Sequence, residues 1–80
     1  MPWNKPLARE LALKDGRLLR TLHDARDLFA SGVFAGVAHS PALERAIELL
    51  IRAAESGEDG DVADATDQVA IVLHEWRMMA

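Results

Sequence analysis

The run Lys14-Asp15-Gly16-Arg17 constrains this chain more than any other feature. It interrupts "LALKDGRLLRTLHDARDLFA", residues 11–30, whose leucines also fit helical spacing. Asp-Gly among apolar residues is a strong hairpin signal, because glycine takes the positive φ that a tight turn needs. Before the turn, Leu7, Arg9, Leu11 and Leu13 fall on one strand face, with Ala8, Glu10 and Ala12 on the other. After it, Thr21-Leu22-His23-Asp24 has the spacing of a capping box, Thr21 as N-cap and Asp24 three residues on. Such a cap is wasted inside a continuous helix, where no amides are left unpaired. The sequence therefore predicts a strand over 7–13, a turn at 14–16, a strand over 17–20 and a helix from about 22 to 31. Leu, Ala, Arg and Lys favour helix, so an all-α bundle broken at Gly16 is the alternative. Two registers fit the hairpin. A three-residue loop sets Glu10 opposite Arg20 and Leu11 opposite Leu19, whereas a two-residue turn sets Leu13 opposite Leu18. The first matches charge to charge and leucine to leucine, and is preferred.

Two more helices follow. Gly32 ends the first helix, "VFAGVAH" reads as a loop or short turn, and Ser40-Pro41 opens the second helix. Leu43, Ala46, Ile47, Leu50 and Ala54 form its core stripe, widened by Leu49, Ile51 and Ala53. Glu48 and Arg52 have favourable i,i+4 spacing. After the break at "SGEDGD", Asp61 is the expected cap of a third helix whose core face is Val62, Ala65, Val69, Val72, Leu73 and Trp76. The expected core also takes in Leu22, Ala25 and Phe29. Pro2 and Pro6 keep residues 1–6 an irregular arm, with 7–80 one small domain. Trp3 is expected to lock that arm onto the last helix.

An 80-residue chain buries a modest share of its surface. It has no cysteine and therefore no disulfide to help, so self-association is the remaining common aid. Ile71 and Met78, with His74 between them, form a thin apolar stripe outside the predicted core. The hairpin, the "VFAGVA" loop or a second copy would cover it. A strand edge along Leu7 to Leu13 offers another route to a homodimer.

Charge is uneven: residues 1–30 carry net +2 and residues 31–80 net −6. An acidic body argues against a nucleic-acid partner, which needs a concentrated basic field. Arg9, Lys14, Arg17 and Arg20 on the hairpin are the one basic patch that would serve such a partner. "MPWNKPLARE" lacks the apolar core of a signal peptide and "GVFAGVA" is too short to span a membrane, so a cytoplasmic protein with no membrane partner is expected. His23 and Asp27 supply two potential metal ligands and no third, and "GEDGDVADATD" lacks the calcium-loop pattern. His39-Ser40 lacks a nucleophile elbow, and Ser40 has a capping role. No catalytic residue, metal site or cofactor is expected.

"LKDGRLLRTLHDARDLF", "ALERAIELLIRAAESG" and "ATDQV" resemble small uncharacterised proteins frequent in rhizobia and related alphaproteobacteria. The plan is also similar to a short-protein family catalogued as domain of unknown function nine-eight-two, from which the last helix departs. The resemblance covers about residues 7–72, its motifs are structural, and it implies a hairpin-plus-helices fold without supplying an activity. The expectation is an α+β domain, an N-terminal β-hairpin followed by three α-helices. Its expected role is non-enzymatic: a homodimeric protein-interaction or regulatory domain. A nucleic-acid-associated protein and a small-molecule binder are the alternatives.

Overall fold

A computed structural model of the chain describes residues 3–30 and 41–79. The Gly32 stop, the "VFAGVAH" loop, the Ser40 cap and the His39-Ser40 pair lie outside the described residues. Strand β1 (Pro6–Ala12) and strand β2 (Leu18–Thr21) form an antiparallel hairpin, followed by helices α1 (Leu22–Ala30), α2 (Pro41–Ser56) and α3 (Asp59–Glu75). This is the α+β arrangement expected. β1 starts at Pro6, one residue before the expected strand.

The turn follows from its local chemistry. Leu11 pairs with Leu19 and Ala12 with Leu18, the register of the three-residue loop. Gly16 takes φ +91°. Its N–H donates to the Leu13 carbonyl at 3.1 Å, and the Leu13 N–H donates to the Arg17 carbonyl at 2.8 Å. The Asp15 carboxylate accepts from both the Arg17 backbone N–H and the Arg17 guanidinium, each at 3.0 Å.

Further along, regular pairing breaks. The next partners are Pro6 and Thr21, so Leu7 to Glu10 stand opposite Arg20 alone. This irregularity is why the leucine face does not run unbroken: Leu7, Leu11 and Leu13 are buried and Arg9 is exposed. It also turns the Ala8 N–H toward α3, where the Thr66 hydroxyl accepts it at 3.0 Å. Thr66 is fully buried and donates its own proton to the Val62 carbonyl at 2.8 Å. A buried amide without an acceptor is costly, so this hydroxyl joins strand to helix where a ladder bond is lacking.

Helices α2 and α3 make the most extensive contact in the molecule. Small residues are buried on both helices: Ala46, Ala53 and Ala54 on α2 and Ala65 on α3, all 0% exposed. Short side chains let the helix backbones approach closely while Leu49, Leu50, Val69, Val72 and Leu73 fill the rest. Gly57, at φ +67°, ends α2, and its N–H donates to the Ala53 carbonyl at 2.9 Å.

Both ends of α3 differ from the expectation. It begins at Asp59 with Glu58 as N-cap. Asp61 lies in the first turn and accepts a hydrogen bond from the Ser56 hydroxyl, so it ties α2 to α3 rather than capping. At the other end Arg77 takes φ +56°, its N–H donates to the His74 carbonyl, and the Met78 N–H donates to the Leu73 carbonyl. These are the two bonds of a Schellman ending, here with arginine where glycine is usual. The reversal brings Met78 and Met79 back to the hairpin: the Lys14 N–H donates to the Met78 carbonyl at 2.8 Å, and Leu13 bridges Met79. Trp76, expected in the core, sits at this C-cap and is 39% exposed.

Thr66→Val removes the acceptor for the Ala8 N–H with little change in shape, and urea unfolding should show a loss of about 1–3 kcal/mol. Thr66→Ser keeps the hydroxyl and should recover part of that loss. The two positive-φ positions give opposite signs. Gly16→Ala should destabilise by about 1 kcal/mol or more, whereas Arg77→Gly relieves a left-handed non-glycine residue and should stabilise by up to about 1 kcal/mol.

Candidate binding groove

The groove is built from the N-terminal arm, α1 and α2. The arm is held by backbone bonds: the Trp3 carbonyl accepts the His23 N–H at 2.7 Å, and the Lys5 carbonyl accepts the Leu22 N–H at 3.0 Å. These are the first two amides of α1. The third, on Asp24, donates to the Thr21 hydroxyl at 3.2 Å, as the capping box predicts. In return the Asp24 carboxylate accepts the Arg20 N–H at 2.9 Å and the Thr21 N–H at 3.2 Å. The Arg20 amide is the largest influence and holds the Asp24 carboxyl below its ordinary range; burial opposes it, and the Thr21 amide and hydroxyl add to the lowering. Helix α1 is thus fixed to the hairpin and the arm by these hydrogen bonds.

This anchoring sets Trp3 over α1. The Arg26 guanidinium lies over the Trp3 ring, 5.1 Å from its centroid, a cation–π contact. Beyond them Phe29 and Ala30 on α1 face Ile47, Leu50 and Ile51 on α2 across an opening of about 690 Å³. Leu50 forms its floor at 2% exposure, and Ile47 and Ile51 form its outer wall at 40% and 42%. Two corrections follow. Ile47, expected in the core, is on this wall, because α2 buries Ala46, Leu49, Leu50, Ala53 and Ala54. Trp3, expected against the last helix, lies against α1 and α2. The breadth of apolar residues around α2 was the one signal of such a surface in the sequence: the stripe is too wide for a helix with one covered face.

The other candidate residues are dispersed. Ile71 on α3 is 49% exposed and His74 is exposed, but Met78 lies past the helix end in the reversal and packs against the core. The seven-residue stripe is therefore broken at Glu75, where α3 ends. Leu7, Leu11 and Leu13 are core residues, the β1 amide of Ala8 is taken by Thr66, and the turn amide of Lys14 is taken by Met78. In the hairpin's basic patch, Arg9 meets Asp67 at 2.7 Å, Arg17 meets Asp15 at 3.0 Å and Arg20 meets Glu10 at 3.7 Å, while Lys14 is exposed. Carboxylates beside three of these four cations weaken the field that a phosphate backbone would feel. His23 Nε2 and Asp27 Oδ2, the two potential ligands, form an exposed pair at 3.0 Å. Among the described residues no three His, Asp or Glu side chains converge as metal ligands, and no helix is long and apolar enough to cross a membrane.

No family model, curated protein or solved structure matches the chain. The similarity of plan to the family named above therefore adds nothing to the site.

The depressed Asp24 carboxyl gives a signed pH effect. A group whose pKa falls on folding stabilises the fold above its unfolded value, near 3.8 here, and that contribution is lost as pH drops through the folded value. The stability gap between the wild type and Asp24→Asn should be full at pH 6 and shrink progressively below about pH 4. Thermal melts across that range measure it, and a gap that widens on acidification would overturn the assignment. Thr21→Ala should cost about 1 kcal/mol by the same assay.

Proposed function

We propose that this protein is a non-enzymatic interaction domain whose binding surface is the strip formed by Trp3, Phe29, Ile47 and Ile51. The observation that carries the reading is the exposure of Ile47 and Ile51 at 40% and 42%, one turn apart beside an open apolar groove. Scattered exposed aliphatics are ordinary on protein surfaces, but contiguous ones flanking aromatic residues mark sites where another chain docks. The neighbouring arginine and the two aromatic rings add to this, since such residues dominate the energetics of protein interfaces. A nucleic-acid role through the hairpin has less support, because Arg9, Arg17 and Arg20 are already matched by carboxylates.

The test is a paired capture. Wild type and Ile47→Ser/Ile51→Ser are used as baits in parallel, after melts confirm that both are folded. Proteins retained by the wild type and lost by the double variant support the surface. Equal recovery by both baits counts against it.

A further inference from the structure

We infer that the occupant of this strip is a second copy of the same chain, paired antiparallel along α2. The inference rests on reading the strip as a protein-binding surface, and charge order on α2 selects the partner.

Helix α2 has sixteen residues, about 24 Å at 1.5 Å per residue. Ile47 and Ile51 run along its exposed side. On one flank of them lies the groove with Trp3 and Phe29. On the other flank Arg45, Glu48, Arg52 and Glu55 fall within an arc of about 80° at 100° per residue. All four are exposed. Their charges alternate along the helix: plus, minus, plus, minus. A row of this kind is its own complement when reversed. Arg45 then meets Glu55 of the second copy, and Glu48 meets Arg52 of the second copy, each pair occurring twice about the two-fold axis.

Geometry requires the same direction. Two helices packed antiparallel bring like flank to like flank, so the charge row faces the charge row and the aromatic flank faces its own copy. A parallel pair would set the charge row against Trp3 and Phe29. With Ile47 opposite Ile51 of the second copy, Glu48 and its Arg52 partner are offset by two residues, about 3 Å along the axis, within reach of an arginine. The Arg45–Glu48 pair within the chain is no obstacle. At 3.7 Å and with both side chains more than half exposed, it is a weak contact that the interface can share. Glu44 is already engaged within its own chain. Two-fold symmetry makes the contact closed, so it yields dimers and not fibres.

Sedimentation velocity from about 10 to about 500 μM tests this on the full chain, with circular dichroism melts confirming that every variant is folded. The wild type should dimerise within that range. Glu48→Arg sets Arg against Arg52, and Arg52→Glu sets Glu against Glu48. Each variant alone should weaken dimerisation about tenfold or more. An equimolar mixture of the two restores opposite charges at both positions and should recover the dimer as a heterodimer. The combined Glu48→Arg/Arg52→Glu chain should also dimerise. A wild type that stays monomeric at the highest concentration overturns the inference. So do single variants that dimerise as well as the wild type, and so does a mixture that stays monomeric. None of those outcomes touches the broader reading of the strip, which the Ile47→Ser/Ile51→Ser capture judges separately.

Discussion

The Thr66 hydroxyl is the hinge on which the two halves of the structure meet. A hairpin needs a third partner to be stable, and a helical pair needs something to cover its open side. Here the irregular strand β1 turns a half-buried amide toward α3, where leaving it unbonded would be costly. Thr66 accepts it while sending its own proton to Val62, so one side chain satisfies a strand donor and remains part of a helix. Leu7 and Leu11 of β1 are buried on the side where that strand packs on α3.

A second constraint is the saturation of helix and strand ends by neighbouring backbone. The first three amides of α1 go to Trp3, Lys5 and Thr21. The amide of Lys14 goes to Met78. Each of these bonds satisfies a polar group and also places an element. The arm that donates acceptors to α1 carries Trp3, which is how a tryptophan far from α2 in sequence comes to wall a groove with Ile47 and Ile51.

What could be read from the sequence was what is local. Asp15-Gly16 and the Thr21–Asp24 box act over four residues or fewer, and turn type, register and helix start followed from them. The three-helix order followed from apolar spacing. The details that failed are tertiary. Ile47 and Trp76 have the right period for a core, but which side of a wide stripe is covered depends on where the neighbouring element stops. Asp61 was the expected cap after the break at "SGEDGD", yet the Ser56 hydroxyl claims its carboxylate and the helix starts three residues sooner, with Glu58 as N-cap. Arg77 reverses the chain without glycine, so no sequence signal announced that Met78 would leave the helix. The Trp3 groove joins residues with no common spacing, so nothing in the sequence announced it beyond the width of the α2 stripe.

The bridge between Leu13 and Met79 has a kinetic meaning. It closes a loop over nearly the whole chain, as the Ala8–Thr66 bond almost does. The hairpin and the α2–α3 pair can each form from nearby residues within microseconds, but their union waits on contacts of long sequence separation. On a ribosome the Leu13–Lys14 end of the hairpin lacks these partners until residue 79 has emerged, on the order of several seconds after residue 13. For that interval the backbone groups that Met78 and Met79 engage in the folded molecule are available to any other strand. The charged residues Arg9, Glu10 and Lys14 along the hairpin are well placed to keep it from pairing wrongly.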